Sequence, residues 1–332
     1  MKSLAFIGCS HIHTPGFVRT VVSRKEEFRV AAAWDPNPVR AQKVADATGC
    51  AVAQELDSIL ADPDIPAVVI CSETNRHLEL IQAAVAAGKD IYAEKPLGCT
   101  ADDATQMQAL LESSPHLFST GYFRRGDPGF RFIRDLLKAG TLGQVTRVRL
   151  SNCHAGALKG WFDDEWRWMA DPAIAGCGAF GDLGTHILDI LLWWFGKPVR
   201  GTATLQTVTG RYGSCDESGE AILVYPNGMT AVLAAGWLDV AEPMPVLVSG
   251  TRGIVSCFQK QYYFECNDVP GADGKSPWDK LPPAVSGGFP QFLDALLGPT
   301  AEPLVTPAEA ALRNVVMDKL YQAARTHSWV DF

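Results

Sequence analysis

The stretch Leu4-Ala5-Phe6-Ile7-Gly8-Cys9-Ser10-His11-Ile12-His13-Thr14-Pro15 decides how this chain folds. A short apolar run ends at a glycine, and a Thr-Pro pair follows in which Thr14 is expected to cap a helix and Pro15 to be its first residue. Strand, tight turn and helix in that order form the opening of a dinucleotide-binding unit. There the glycines of G-x-G-x-x-G let the backbone approach a pyrophosphate, whose charge sits at the helix N-terminus. Only the first glycine, Gly8, is present, with Ser10 and His13 at the second and third places. Asp35 lies 22 residues past His13, after the next apolar run. It is placed to accept hydrogen bonds from a ribose 2′-hydroxyl, which favours NAD over NADP. As part of Trp34-Asp35-Pro36-Asn37-Pro38 it is equally a turn former. His11 and His13 form an H-x-H pair, but two imidazoles need further metal ligands that nothing nearby clearly supplies, so no metal site is assigned.

Outward from this turn, apolar runs at residues 4–7, 28–34, 67–71, 90–93 and 116–120 alternate with helix-period segments. Their apolar character is mostly continuous, as expected of parallel strands covered on both faces. Residues 75–87 read as a helix stopped by Gly88, and Thr100 as the cap of another beginning Ala101-Asp102-Asp103. After about residue 122 the texture changes. One amphipathic helix over 130–139 leads into strand-like runs with polar alternation at 145–153, 201–208, 220–225, 230–236 and 253–258. A helix over 180–195, ended by Gly196, is expected to cover this sheet, and 307–326 reads as a closing helix. The expected architecture is α/β: an N-terminal Rossmann domain over 1–122, then an α+β domain over 123–332 built on a large, open, mostly antiparallel sheet.

Composition narrows the partners. At 332 residues two domains are the natural prior. A net charge of −8 disfavours nucleic acid and anionic membrane as main partners. The nine cysteines are scattered without a C-x-x-C pair, which fits reduced thiols in a cytoplasm, and no run is long enough for a signal peptide or a spanning helix.

The chemistry gathers at two places. Lys95, in Ala93-Glu94-Lys95-Pro96-Leu97-Gly98, follows a strand at its carboxyl end, where ligands of open α/β sheets bind. Oxidising an alcohol requires a base for the hydroxyl proton as the hydride leaves, and a lysine serves if burial lowers its pKa. Alone, Lys95 would also read as a surface lysine in a loop. In Gly176-Cys177-Gly178-Ala179-Phe180-Gly181-Asp182-Leu183-Gly184-Thr185-His186, Asp182 and His186 are four apart and share a helical face, which Asp189 extends. A carboxylate there sets the imidazole's tautomer; a helix-terminal acid beside a buried histidine is the plainer alternative. Gly176 and Gly178 point to close approach of the backbone to something bound. Trp161, Trp166 and Trp168 offer indole faces to a sugar or fill the core, and Arg125 and Arg167 pair with an acidic substituent or with structural carboxylates.

With these residues assembled, the chain resembles the Gfo/Idh/MocA family, the glucose-fructose oxidoreductase and inositol dehydrogenase group. The likeness extends to Tyr122-Phe123-Arg124-Arg125-Gly126-Asp127-Pro128, Gly140-Thr141-Leu142-Gly143 and Phe289-Pro290-Gln291-Phe292-Leu293-Asp294-Ala295. The resemblance implies a Rossmann domain, an α/β domain whose exposed sheet face builds dimers or tetramers, and Lys95 as acid/base group. It also implies that Asp182 and His186 contact the reacting hydroxyl or relay its proton. Ser10 and His13 depart from the family's glycines and bear on cofactor grip rather than fold. The expected cofactor set is Gly8, Ser10, His11, His13, Asp35, Ser72, Asn75, His77, Glu94 and Lys95, with Arg125, Trp166 and Arg167 toward substrate. The expected reaction is NAD-linked oxidation of a secondary hydroxyl on a sugar or cyclitol. A redox-neutral glycosidase using bound NAD and a non-catalytic ligand-binding relative are the alternatives.

Overall fold

The opening run is strand β1 (Lys2–Cys9) of the computed structural model, which describes all 332 residues. It pairs in parallel with β2 (Phe28–Trp34) on one side and β4 (Ala67–Cys71) on the other. With β3 (Ala51–Val52), β5 (Asp90–Ala93) and β6 (Phe118–Thr120) the order is β3-β2-β1-β4-β5-β6, all parallel. Chain direction across the sheet reverses between β1 and β4, and that switch point is where such sheets bind ligands beyond the strands' carboxyl ends. Helices α1 (Thr14–Ser23), α2 (Pro38–Thr48), α3 (Leu56–Leu60), α4 (His77–Ala86) and α5 (Ala101–Glu112) connect the strands. Two cores result: Ile7, Val68, Ile70 and Ile91 with Leu80, Met107 and Leu111 in one, and Leu4, Phe6, Val69 and Tyr92 with Val18, Phe289 and Phe292 in the other. Continuous burial along β4 is the physical reason its sequence shows no alternation.

This unit comprises Met1–Tyr122, Phe162–Gly176 and Ser286–Asn314. The later segments bring the short helix α7 (Pro172–Ala175) and helix α9 (Phe289–Leu297), whose Phe289 packs edge-on against Tyr92. The second unit comprises Phe123–Trp161, Cys177–Val285 and Val315–Phe332.

In the second unit the eight-stranded sheet is built from β7 (Val145–Cys153), β8 (Arg200–Gln206), β9 (Ser218–Val224), β10 (Thr230–Gly236), β11 (Val246–Gly250), β12 (Gly253–Phe258), β13 (Gln261–Cys266) and β14 (Val330–Asp331). Their order is β13-β12-β11-β7-β10-β9-β8-β14. Every pair is antiparallel except β7–β10. Helix α6 (Pro128–Lys138) precedes β7, and α8 (Ala179–Phe195) lies against β7, β9 and β10. Residues 179–192 of α8 are buried except Asp182, so this helix is apolar nearly all round. The sheet's other face carries an in-register row, Thr202, Ile222, Val232, Arg149 and Leu247, of which Ile222 is 41% exposed. Helix α10 (Pro307–Thr326) closes the chain as read from its sequence.

Several local expectations change. Helix α1 begins at Thr14 with His13 as its N-cap, because the chain is already helical at His13. Helix α6 starts two residues earlier than its apolar stripe, since Asp127 caps it through Gly129 N and Phe130 N and Pro128 fills the first turn. The Thr100 cap is present as a reciprocal capping box with Asp103. Strands β11 and β13 escape the periodicity reading: Val246–Gly250 is short and ends in a bulge, and Gln261–Cys266 is rich in aromatic and polar residues.

Candidate active site

In the first unit, everything at the switch point depends on how β1 ends. Gly8 has φ of 83°, and a Cβ there would lie 2.5 Å from the Ser72 Cβ, so only glycine lets the turn pass against the end of β4. His11 N donates to Cys71 O at 2.9 Å and fixes that approach. Ser10 is buried, and its carbonyl accepts from Trp168 Nε1 at 3.2 Å. Trp168 also lies 5.8 Å from the His11 ring, so it belongs to the wall of this turn. Trp166 is half-buried, and Arg167 is exposed with Nη1 donating to Ala170 O at 3.1 Å. Helix α1 has no acid in its first turn and no side-chain cap, so its positive end is not neutralised by its own side chains. The helix dipole there would favour the diphosphate of a dinucleotide, while the amides of His13, Thr14 and Gly16 are bonded within the turn itself.

Asp35 stands at the end of β2 as expected, but its side chain has no exposed surface. Its Oδ2 accepts from Cys9 N at 2.7 Å and its Oδ1 from Asn37 N at 2.8 Å. It thus ties the β1 turn to the β2 turn. Burial pushes its carboxyl up, against the lowering effect of those two amides and of Arg40. Arg40 itself pairs with Glu73 at 2.5 Å, a link that the sequence reading missed.

The segment after β5 is buried. Glu94 has no exposed surface, and Lys95 is 2% exposed. Lys95 N donates to Glu94 Oε2 at 2.9 Å, and Glu94 Oε1 lies 2.9 Å from His13 Nδ1 and 3.7 Å from His11 Nδ1. Burial alone would raise the Glu94 carboxyl, but His11, His13 and Lys95 outweigh it and hold the carboxyl well below the usual range. His77, buried on the first turn of α4, pairs its Nδ1 with Leu97 O at 3.0 Å and so fastens the loop that carries Lys95. Burial lowers its pKa. Asn75 is exposed in the short helical turn Thr74–Arg76, and Ser72 is wholly buried. Gly121 is an unforeseen participant: a Cβ there would meet Glu94 Oε2 and Lys95 Cγ, each at 3.0 Å.

In the second unit α8 presents Asp182 and His186 on one face, with Asp189 one turn further. Trp237 Nε1 donates to Asp182 Oδ2 at 3.1 Å, and the His186 ring meets Phe123 edge-on at 5.2 Å. Arg125 grips Asp189 with both arms, Nε to Oδ2 at 3.0 Å and Nη2 to Oδ1 at 2.7 Å, and is buried. Of the two readings open for Arg125, the pairing with a protein carboxylate is the one seen. Trp161 is 41% exposed and packs beside His154.

The amino end of α8 has no side-chain cap of its own, since Gly178 occupies the cap position. Two distant residues replace it. Asp216 Oδ2 accepts from Phe180 N at 2.8 Å and its carbonyl from Ala179 N at 2.9 Å. The Tyr321 hydroxyl accepts from Gly178 N and Gly181 N and donates to Asp216 Oδ1 at 3.0 Å. Burial raises both groups, the Tyr321 hydroxyl strongly. The glycines allow close approach of the protein to itself. A Cβ on Gly178 would fall 2.5 Å from Asp216 Oδ1, and one on Gly176 2.5 Å from Cys99 Cα. Pattern reading had no signal for Asp216, Trp237 or Tyr321, which lie 34, 55 and 139 residues beyond Asp182.

No helix is long and apolar enough to cross a membrane. Residues 2–122 match the model of an oxidoreductase family with an NAD-binding Rossmann fold, and residues 130–256 match that of the GFO/IDH/MocA C-terminal domain. The uncharacterized oxidoreductase YdgJ of Escherichia coli (strain K12) is 31% identical over 72% of this chain, which spans 63% of that relative's length. Inositol 2-dehydrogenase of Rhizobium meliloti (strain 1021) is 30% identical over 71% of this chain and 69% of its own. Levoglucosan dehydrogenase, solved in complex with NADH and levoglucosan, superposes with a TM-score of 0.83 over 99% of both chains at 19% identity, a likeness of fold. An NAD-binding Rossmann unit followed by the family's C-terminal domain over nearly the whole of residues 2–256 makes this chain a member of the GFO/IDH/MocA oxidoreductase family.

Proposed function

We propose that this oxidoreductase transfers a hydride between NAD and a secondary hydroxyl, or the corresponding ketone, of a sugar, sugar derivative or cyclitol, with Lys95 as general acid/base. The observation that carries the reading is the burial of Lys95 at the carboxyl end of a parallel strand, on a loop fastened by His77. Relatives named as inositol and levoglucosan dehydrogenases support the substrate class.

NAD when bound accepts the hydride. The chain's own residues do the rest. The β1 turn and the amino end of α1 would hold the diphosphate, with His11 in that turn and with Ser10 and His13 in the places that the second and third glycines take in the usual motif. Asp35 serves the cofactor by holding that turn in shape, its oxygens taken by Cys9 N and Asn37 N. Asn75, exposed just past β4, would meet the cofactor, and Ser72 supports the turn from behind, packed against Gly8. The Lys95 amine takes the hydroxyl proton during oxidation and returns it during reduction. Asp182 and His186 orient the reacting hydroxyl, with the Trp237 indole fixing the carboxylate. Trp166 and Arg167 contact the substrate, whereas Arg125 acts through Asp189 on the carboxyl half of α8. The row Thr202, Ile222, Val232, Arg149 and Leu247 meets a second copy of the chain in a homo-oligomer.

The test is absorbance of reduced nicotinamide while a panel of cyclitols, aldoses and anhydrosugars is offered with NAD and, separately, NADP. Turnover that prefers NAD and is lost in Lys95→Ala supports the reading. Unchanged turnover in Lys95→Ala overturns it.

A further inference from the structure

We propose that His11, His13 and Glu94 form a binding site for one divalent transition-metal cation of the zinc class. The three side chains come from two distant stretches, the β1 turn and the end of β5, and one ligand atom from each lies within 4.8 Å of the others. Glu94 supplies the third ligand that the H-x-H pair lacks in sequence. It is the ligand best prepared: its carboxylate is entirely buried, its Oε2 is occupied by Lys95 N, and its Oε1 alone faces the two imidazoles. The Oε1–Nδ1 separations of 2.9 and 3.7 Å bracket the roughly 3.3 Å expected between two ligands of one tetrahedral zinc.

Glu94 Oε1 stands at hydrogen-bond distance from His13 Nδ1, and a cation in place of the shared proton would be held by the same carboxylate oxygen and the two ring nitrogens. Two nitrogens and one oxygen make a borderline donor set, which takes zinc, cobalt or nickel before magnesium or calcium. His11 Nδ1 is already turned inward, accepting from His13 N at 3.2 Å, a contact the cation would replace. The His13 side chain is 42% exposed, so the site is open from its side and the fourth coordination position is left for water or another ligand. Three protein ligands with one open position is the arrangement of reactive rather than purely structural zinc sites. His11 and His13 also belong to the turn proposed above to hold the diphosphate, so the cation is titrated into the chain freed of NAD, where its binding does not rest on that reading.

The experiment is a Co²⁺ titration of the untagged, chelator-treated full-length chain, followed by visible absorbance and then by Zn²⁺ competition. We expect one equivalent to saturate weak d–d bands without thiolate-to-cobalt charge transfer, Zn²⁺ to abolish them, and His13→Gln to lose saturable binding while keeping its circular dichroism. Glu94→Gln gives a second, independent loss. The proposal is overturned by absence of one-equivalent binding, by binding that survives His13→Gln, or by thiolate bands, which would place the metal on the cysteines.

Discussion

The indole of Trp237, at the end of β10, donates to the Asp182 carboxylate on α8 at 3.1 Å, although the two residues are 55 positions apart. Trp237 has no exposed surface and Asp182 is half-buried, so this hydrogen bond is partly sheltered from water and its loss removes a donor to the carboxylate. Trp237→Phe keeps the aromatic volume and removes the donor. We expect kcat to fall by about tenfold with the NAD KM unchanged, equivalent to about 1.4 kcal/mol, the scale of a hydrogen bond to a charged group. Steady-state kinetics with both substrates varied checks this, and an unchanged kcat would remove Trp237 from the site.

Lys95→Ala should lower kcat by about 10²–10⁴-fold, the range for removing a general acid/base group. Lys95→Arg should not restore it, because a guanidinium does not give up its proton. NAD binding measured by fluorescence separates loss of chemistry from loss of cofactor.

Arg125 and Asp189 form a buried two-armed pair. Arg125→Met strands the Asp189 carboxylate and should cost about 3–5 kcal/mol, whereas Arg125→Met with Asp189→Leu should recover most of that loss. Urea denaturation of the two variants decides between a structural pair and a substrate contact; a neutral Arg125→Met would refute the structural role.

Gly8→Ala places a side chain in a left-handed turn and against Ser72. Backbone strain alone predicts a loss of about 1–3 kcal/mol, with NAD affinity falling as the turn shifts. Thermal denaturation with and without NAD reports both effects.

Glu217 gives the second unit a pH-dependent contribution to stability. Burial would raise its carboxyl, but the Thr209 hydroxyl and the amides of Thr209, Val208 and Arg211 donate to it and hold it below its ordinary value of 4.5. A carboxyl lowered by folding contributes stability above its unfolded pKa and loses it as pH falls through the folded value. The melting temperature should therefore drop below about pH 4.5, and Glu217→Gln should flatten that part of the curve. Neighbouring Asp216 is raised instead, so its contribution runs the other way, being lost as pH rises. An identical acid limb in Glu217→Gln would show that other carboxylates govern it.

The fold was legible in the sequence because its signals are local. The continuous apolar run of β4, the Thr100 capping box and Gly196 at the end of α8 each act within a few residues. So does the order of strand, glycine turn and helix around Gly8. Lys95, Asp182 and His186 were legible as residue types in a pattern, since a helix puts positions four apart on one face whatever surrounds it.

What the tertiary structure alone decided are the partners of those residues. Asp35 was readable as a carboxylate at a strand end, but only folding spends its oxygens on Cys9 and Asn37. The glycines before α8 were readable as close approaches, but only folding brings Cys99 and Asp216 to them. Asp216 and Tyr321 cap α8, and Glu94 joins His11 and His13, across 81 residues or more in the second case. Such contacts follow from where a sheet sets its strand ends, and strand order is fixed by burial over the whole unit rather than by any window of sequence.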